Sequence, residues 1–404
     1  MDGIAKAGAR DLAQKSKHDS RSHKRQRQAD REPAEQTLGQ LPRFFTIGRE
    51  EHLNITRSLK TYLSGYIGGD PTAGYWVTKL SKEWAATFGV THTVPCNSAT
   101  SGLYAACLAA DIGPGDLVLC PDYTMSATAT CAMMLGANVR LVDIHPEFFT
   151  MDISDLERWG RPKAIIVCNL FGCPADLKKL RELCDLRGIV LIEDCAQAPF
   201  AALNGQYCGT IGHIGVFSFN VHKHLQCGEG GIIVTSDDEL AHRLHCAINH
   251  GELNPRPLMG LNLRMTEPIA AIACAQLAKG PKIVQERINL AHHITSLFDG
   301  IDFIHPPRKP PGAEHVYYMW AGKVEGDHRQ KFVRALRKRG LPFREGYSIP
   351  LHRLFVHNDW EPNFPVTCSL EDRELFTFEI CAYDPKPEHL RTMRQIIVDE
   401  ANKI

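Results

Sequence analysis

The residue best suited to covalent chemistry is a lysine that lies in an apolar segment ahead of a glycine-rich turn. Lys223 stands within residues 217–225, and the run Gly228-Glu229-Gly230-Gly231 follows shortly after it. A lysine in a partly desolvated site has a lowered pKa, and its neutral amine can form a Schiff base with a carbonyl compound. Most lysines are solvated surface charges, and this segment taken alone favours that interpretation for Lys223.

Histidines stand on both sides of this lysine. His222 and His224 are two residues apart, and two imidazoles could bind a metal ion. A metal site needs three or four ligands at suitable spacing, and the sequence offers no third ligand here. We therefore predict no metal site and expect these histidines to have flanking roles.

A second candidate is the acidic run Glu193-Asp194-Cys195-Ala196-Gln197-Ala198, which directly follows an apolar stretch at residues 189–192. Acidic side chains at the carboxyl end of a parallel strand lie where α/β sheets bind ligands. A carboxylate there can pair with a protonated ring nitrogen and stabilise its charge. The alternative is an aspartate that only caps a helix.

The third candidate is a turn rich in small and hydroxyl residues, Asn97-Ser98-Ala99-Thr100-Ser101-Gly102. It follows a predicted strand and precedes a predicted helix that ends near Ile112. Backbone N–H groups at a helix N-terminus bind anions, and phosphate in particular. Taken alone, the turn favours ordinary helix capping by serine or threonine over a phosphate site.

The elements that must position these residues alternate between strands and helices. A helix is predicted over residues 176–187, with apolar residues on one face and Gly188 placed to end it. Strands are predicted at residues 117–120, 139–143, 164–168, 189–193, 215–219 and 231–235. Such alternation predicts a mostly parallel sheet covered by helices on both sides.

The pattern changes after about residue 280. A strand at 318–324 and helices at 329–339 and 388–402 predict a smaller α+β domain. We expect three regions: a disordered basic tail (1–40), a large domain with an N-terminal segment (41–285) and a small C-terminal domain (286–404). The tail could contact nucleic acid or an acidic partner, but a solvated extension is favoured.

Composition excludes several classes of protein. The chain has 404 residues, 46 basic and 46 acidic side chains, and no apolar run near the roughly 20 residues of a membrane helix. No overall positive field favours nucleic acid, and the amino terminus lacks the apolar core of a secretion signal. The 14 cysteines are scattered through apolar segments, which indicates reduced buried thiols and a cytoplasmic protein.

Together the three candidate segments resemble the DegT/DnrJ/StrS sugar aminotransferases, which are fold type I pyridoxal-phosphate enzymes. The resemblance runs from about residue 65 to about residue 287. It includes Phe171-Gly172-x-Pro174-Ala175-Asp176, Gly209-x-x-Gly212-x-x-Gly215-x-Phe217-Ser218-Phe219 and Gly260-x-Asn262-x-Arg264-Met265-Thr266-Glu267. It implies a large α/β/α domain with a mostly parallel sheet and a smaller α+β domain.

The resemblance implies a role for each matching residue. Lys223 would hold pyridoxal 5'-phosphate as a Schiff base and move a proton. Asp194 would bond the pyridinium nitrogen, and Gln197 would lie near the phenolic oxygen. The cofactor phosphate would be held by Ala99, Thr100, Ser218 and, from a partner subunit, Asn262.

The implied function is transfer of an amino group from glutamate or glutamine to a keto-sugar, which we expect to be nucleotide-linked. The alternatives are a free sugar or cyclitol ketone as acceptor, or a non-catalytic regulatory protein with the same fold. Some family members replace the lysine by histidine and perform dehydration, so Lys223 favours transamination. The Asn262 loop implies a homodimer with shared active sites.

Two positions depart from the family pattern. An aromatic ring usually follows the threonine of Pro-x-x-Thr and stacks on the cofactor, whereas Met125 follows Pro121-Asp122-Tyr123-Thr124. We expect Met125 to occupy this stacking position, with Tyr123 as the alternative. The second departure is Asn169, where many relatives have histidine.

Overall fold

The computed structural model describes residues 38–65, 74–154, 156–252, 258–355 and 363–404. Most of the tail expected at residues 1–40 therefore lies outside the described residues. The strands are β1 (His92–Cys96), β2 (Leu117–Pro121), β3 (Asn138–Val142), β4 (Ala164–Cys168), β5 (Val190–Asp194), β6 (Ala202–Leu203), β7 (Gln206–Tyr207), β8 (Ile214–Ser218), β9 (Gly231–Thr235), β10 (Ile304–His305), β11 (Ala313–Glu314), β12 (Trp320–Val324), β13 (Arg344–Glu345) and β14 (Leu375–Phe378). The helices are α1 (Arg49–Ser58), α2 (Tyr75–Phe88), α3 (Ala99–Ala109), α4 (Ala127–Met133), α5 (Leu177–Arg187), α6 (Asp238–Ile248), α7 (Glu267–Ser296), α8 (Arg329–Lys338), α9 (Leu351–Leu354), α10 (Pro365–Ser369) and α11 (Pro387–Ala401).

Seven strands form the central sheet, in the order β1-β9-β8-β5-β4-β2-β3. Strand β9 is antiparallel to both of its neighbours, and the other six strands share one direction. The mostly parallel sheet expected from the sequence is confirmed, with β9 as the exception. The six strands predicted for this sheet lie within one residue of the observed ends.

Helices cover both faces of this sheet, which explains why its central strands are mostly apolar on both sides. In β4, Ile165 and Val167 face a core that includes α2, α5 and α7, whereas Ala164 and Ile166 face one that includes α3, α4 and α6. All five residues of β4 are buried. Burial on both faces replaces the alternation of apolar and polar residues that a half-exposed strand would show.

The register of the sheet brings the candidate residues Asp194 and Ser218 to the same edge. Because parallel strands end at one edge, Asp194 at the end of β5 lies beside Cys168 of β4 and Val216 of β8. At the same edge, Ser218 pairs with Gly231, the first residue of β9. This edge is where open α/β sheets bind ligands.

The C-terminal region forms a second, antiparallel sheet in the order β10-β12-β14-β13. Helices α8 and α11 share its apolar core, and Leu38 and Leu41 are buried in that same core. Helix α7 continues from Glu267 to Ser296, so the domain boundary expected at 285/286 falls inside one helix. The division into a large and a small domain stays a prediction.

Candidate active site

The lysine lies in a loop that folds back on itself after β8. The N–H of Val221 donates to the carbonyl of Gly228 (3.0 Å), and the N–H of Lys223 donates to the carbonyl of Asn220 (2.9 Å). Lys223 is half-buried, and its Nζ lies 4.4 Å from the centroid of the Tyr318 ring. Burial lowers the pKa of Lys223, although the negative charge of Asp194 opposes this shift. A lowered pKa makes more of the amine neutral and nucleophilic.

Asp194 is a buried carboxylate held by two hydrogen bonds. Thr128 Oγ1 donates to Oδ2 (2.7 Å), and the N–H of Ala196 donates to Oδ1 (3.0 Å). Burial raises the pKa of Asp194, while these hydrogen bonds and the charge of Lys223 act in the opposite direction. Sequence analysis missed Thr128, because a buried threonine in a short helix has no distinguishing pattern.

The neighbouring Glu193 has a different role. It is fully buried and accepts hydrogen bonds from the N–H groups of Gly209 (2.7 Å), Ile211 (2.9 Å) and Gly212 (2.5 Å). Asn169 Nδ2 donates to the same carboxylate at 3.3 Å. Adjacent side chains of a strand point to opposite faces, so Glu193 fixes the loop before β8 while Asp194 lies near Lys223.

Gln197 lies in the turn after β5 and is bonded at both ends of its amide. The N–H of Phe171 donates to its Oε1 (2.7 Å), and its Nε2 donates to the hydroxyl of Tyr347 (2.8 Å). Tyr347 comes from the C-terminal region, which sequence analysis did not connect with this site. The glutamine is therefore bonded both to the turn after β4 and to the segment after β13.

Three of the four residues expected to hold phosphate, Ala99, Thr100 and Ser218, lie at or beside the start of α3. Ser98 caps this helix by accepting a hydrogen bond from the N–H of Ser101 (3.1 Å), and Ala99 and Thr100 form its first turn. A Cβ atom on Gly231 would lie only 2.7 Å from the nitrogen of Ala99, so only glycine allows this close approach. Since Gly231 pairs with Ser218, the fold places Ser218 beside the helix N-terminus.

Asn262 and Met125 are two of the expected site residues that are exposed in the single chain. Asn262 is exposed, although the next residue, Leu263, accepts a hydrogen bond from the N–H of Asn97 (2.8 Å). Met125 is 52% exposed and precedes α4, one turn before the threonine that binds Asp194. Tyr123 is fully buried, and its hydroxyl donates to Glu371.

A cavity of about 590 Å³ adjoins the lysine loop. It lies between that loop, the N-terminal segment and the C-terminal sheet. Its lining includes His222, Tyr318, Tyr347, Arg43 and Arg344. The cavity therefore adjoins the Tyr318 ring, which Lys223 Nζ contacts.

The two histidines beside Lys223 occupy different environments. His222 is exposed, whereas His224 is buried and its Nε2 lies 2.9 Å from the carbonyl oxygen of Val316. Burial lowers the pKa of His224 to about 4. Within the parts of the chain that the structure describes, no group of three or more His, Cys, Asp or Glu residues could hold a metal ion. No helix among those residues is long and apolar enough to cross a membrane.

The fold and this arrangement of a lysine, a buried carboxylate and a helix N-terminus define a pyridoxal-phosphate transferase of fold type I. Residues 59–376 match the model of the DegT/DnrJ/EryC1/StrS aminotransferase family, and the chain belongs to that family. This confirms the resemblance found in the sequence. The transaminase class and the pyridoxal phosphate cofactor are confirmed with it.

Individual relatives agree with the family match. The chain is 35% identical over 303 residues to UDP-N-acetyl-3-dehydro-alpha-D-glucosamine 3-aminotransferase of Acidithiobacillus ferrooxidans, covering 73% of this chain and 81% of the relative. It is 31% identical to a pleiotropic regulatory protein of Geobacillus stearothermophilus, covering 69% and 76%. Among solved structures, DesV of S. venezuelae in complex with a ketimine intermediate has a TM-score of 0.78 at 28% identity, covering 88% and 95%.

The described residues fit the cofactor. Asp194 offers a buried carboxylate for a protonated ring nitrogen, and Lys223 offers an amine whose pKa burial has lowered. The close approach of Gly231 to Ala99 leaves backbone N–H groups at the start of α3 for a phosphate. Each of these features matches one part of pyridoxal phosphate.

Proposed function

We propose that this transaminase moves an amino group from glutamate or glutamine to a nucleotide-linked keto-sugar. One observation carries the proposal. The half-buried Lys223 amine lies close enough to the buried Asp194 carboxylate for their charges to interact. The relative from Acidithiobacillus ferrooxidans is named for a UDP-linked dehydro-sugar, which supports this class of acceptor. The cavity of about 590 Å³ beside the lysine loop provides room for a large acceptor.

Each residue of the site would have a separate role. Lys223 would bind the cofactor covalently and then carry the proton between the substrate carbon and the cofactor. Asp194 would keep the ring nitrogen protonated, with Thr128 holding the carboxylate in place. Gln197 would donate a hydrogen bond to the phenolic oxygen. When bound, the cofactor supplies an electron sink for the bond that breaks at the substrate carbon.

The cofactor phosphate would lie at the start of α3, bound by Ala99, Thr100 and Ser218. Asn262 would reach the phosphate of a partner subunit, so the active enzyme would be a homodimer. Its exposure supports this role, and Met259 and Leu261 are exposed apolar side chains in the same loop. Exposed apolar side chains grouped in one loop are typical of an interface.

Mixing two inactive variants tests the shared site. A dimer that combines Lys223→Ala with Asn262→Ala subunits would contain one site with both residues intact. The mixture should therefore recover up to about a quarter of wild-type activity if subunits exchange freely. An active protein that sediments as a monomer would contradict the proposal.

Met125 would cover the face of the cofactor ring. Its position one turn before Thr128 supports this, because Thr128 binds the carboxylate proposed to hold the ring. Tyr123 is the alternative, but its hydroxyl already donates to Glu371 and its ring is fully buried. A thioether against an aromatic ring contributes about 0.3–1.5 kcal/mol.

A cytoplasmic location is part of the proposal. All fourteen cysteines lie in the described residues and are free thiols, and all but Cys368 are buried. Free thiols persist in reducing compartments.

A panel of acceptors tests the substrate class. Nucleotide-linked keto-sugars, free keto-sugars and cyclitol ketones would each be incubated with glutamate, and the aminated product measured. The proposal expects kcat/KM to be highest for the nucleotide-linked compounds. Faster amination of a free sugar or a cyclitol would replace this acceptor with the alternative.

A second candidate function is regulatory, since one relative is named a pleiotropic regulatory protein. A regulatory protein that does no chemistry has no need for the lysine, the carboxylate and the amide found together here. The purified protein should be yellow and should lose that colour with glutamate. A colourless protein that does not take up pyridoxal phosphate would favour the regulatory role.

A further inference from the structure

The amide of Gln197 has only one possible orientation. The N–H of Phe171 can only donate, so it must meet the amide oxygen, and the distance to Oε1 is 2.7 Å. The amide nitrogen therefore faces the hydroxyl of Tyr347, to which it donates at 2.8 Å. An amide nitrogen carries two N–H groups, so one of them remains available.

Tyr347 is itself held firmly in place. Its N–H lies 3.1 Å from the Glu371 carboxylate and 3.0 Å from the hydroxyl of Tyr123. That hydroxyl in turn donates to Glu371. The Tyr347 ring packs edge-on against Phe171, with centroids 5.0 Å apart and planes at 83°. The backbone and the ring of Tyr347 are thus both anchored before its hydroxyl meets Gln197.

Phe171 connects the two ends of this arrangement. Its N–H bonds the Gln197 oxygen, and its ring supports Tyr347. Its φ of 58° lies in the left-handed region, which is uncommon for a residue with a side chain. Such backbone persists where the surrounding contacts hold it, and it often occurs at functional sites.

We propose that Tyr347 is a positioning residue that acts through Gln197. Its hydroxyl holds the amide so that the remaining N–H faces the phenolic oxygen of the cofactor. The inference rests on the role given to Gln197 in the proposed function. It adds a residue of the C-terminal region that governs the electronic state of the cofactor without touching it.

The consequence can be read in the visible absorbance of the bound cofactor. A donor to the phenolic oxygen competes with the Schiff-base proton for that oxygen, so it lowers the pKa of the Schiff base. If Tyr347 is replaced by phenylalanine, the amide loses one of its two anchors and the donor weakens. The pKa of the Schiff base should then rise.

The test titrates four holoenzymes spectroscopically: wild type, Tyr347→Phe, Gln197→Leu and the double variant. Tyr347→Phe should raise the Schiff-base pKa by roughly 0.5 to 1, the size expected for the loss of one hydrogen bond between neutral groups. Gln197→Leu should raise it at least as much, and the double variant should match Gln197→Leu alone. Tyr207→Phe, a tyrosine outside this network, serves as the control and should leave the pKa unchanged.

The outcomes separate the two proposals. If Gln197→Leu raises the pKa and Tyr347→Phe leaves it at the wild-type value, the positioning role is wrong while the Gln197 assignment stands. Shifts that add in the double variant also overturn it, because Tyr347 would then act independently. An unchanged pKa in Gln197→Leu overturns the Gln197 assignment itself. Phenylalanine keeps the ring contact with Phe171, and urea unfolding of each variant would verify that the fold is retained.

Discussion

On one side of the site the functional groups are held by strand ends, whereas on the other side they are held by one another. We call the first group, Asp194, Ser218 and Lys223, the sheet side. Asp194 and Ser218 end adjacent parallel strands, and Lys223 follows in the loop after Ser218. The second group, the C-terminal side, comprises Tyr347 and Glu371, with Tyr123 from the segment that follows β2. Hydrogen bonds among these three residues link segments far apart in sequence.

The difference indicates how each side should respond to substitution. Strand register places the sheet side, so replacing one functional group there should remove chemistry and leave the fold intact. The C-terminal side depends on a network of polar groups, and the loss of one member disturbs the others. We therefore expect sheet-side variants to lose rate and C-terminal variants to change positioning or stability.

The largest effect should follow from Lys223→Ala. The variant loses the amine that we propose binds the cofactor covalently and moves the proton, so kcat should fall by about 10³-fold or more. Urea unfolding should stay close to wild type. Lys178→Ala, which removes an exposed lysine, is the control and should keep full activity. Wild-type turnover in Lys223→Ala would show that another residue holds the cofactor.

Two adjacent carboxylates offer a sharper comparison on a single strand. Asp194→Asn should keep the cofactor bound but lower kcat by roughly 10²–10³-fold, because a neutral amide cannot stabilise the ring charge. Glu193→Gln should instead lower the free energy of unfolding by about 1–3 kcal/mol, since its amide N–H groups cannot accept from the Gly209–Gly212 loop. Measuring both quantities in both variants checks the assignment. A stability loss in Asp194→Asn with normal rate would reverse the two roles.

The pH dependence of cofactor capture tests the electrostatics of the lysine. Only the neutral amine reacts, so the capture rate of the apo-protein should rise with pH and level off above the pKa of Lys223. Burial lowers that pKa, and Asp194 raises it. In Asp194→Asn the opposing charge is gone, so the plateau should begin at a lower pH. Identical profiles in the two proteins would mean that the carboxylate does not act on the amine.

A smaller effect, on the free energy of unfolding, is expected for Asp143, which follows β3 and contacts the C-terminal region. Asp143 accepts hydrogen bonds from the N–H groups of Val366 (2.9 Å) and Thr367 (3.0 Å) at the start of α10. Asp143→Ala should lower the free energy of unfolding by about 1–2 kcal/mol, as for loss of a helix cap. Asp152→Ala removes only a local bond to the N–H of Ser154 and should cost less. Equal losses in a urea titration would show that Asp143 does not tie the two regions together.

The smallest effect concerns Met125. An aromatic ring in its place would contribute about 0.5–1.5 kcal/mol from stacking, close to the value for a thioether. Met125→Phe should therefore bind pyridoxal phosphate at least as tightly as wild type, whereas Met125→Asp should bind it poorly. Met134→Asp, at an exposed methionine, is the control for added charge. If only Tyr123→Ala lost affinity in such titrations, Tyr123 would be the stacking residue.

The sheet side was accessible from sequence because each of its residues lies in a short contiguous motif. An apolar strand followed by an acidic turn predicts both the element and the place of Asp194 at its end. Strand β9 was predicted as a strand. Its direction was not predicted, because the direction of a strand depends on its neighbours in the sheet and cannot be inferred from one segment. The antiparallel direction is what places Gly231 at the functional edge.

The C-terminal side could not be predicted in the same way. Tyr347 and Tyr123 are separated by 224 residues, and their hydrogen bond arises only when the two sheets pack. Thr128 was missed for a similar reason, since its function depends on a carboxylate 66 residues away. Buried hydroxyl groups have no periodic pattern, so their partners become evident only in the folded chain.

Above all, we propose that Lys223 carries the amino-transfer chemistry of a two-step transaminase. The most direct test adds glutamate, without any acceptor, to the purified yellow protein and measures 2-oxoglutarate. We expect loss of the yellow colour with about one 2-oxoglutarate per subunit, and no product from Lys223→Ala. Unchanged colour and no 2-oxoglutarate from the wild-type protein, with glutamine equally inert, would contradict it.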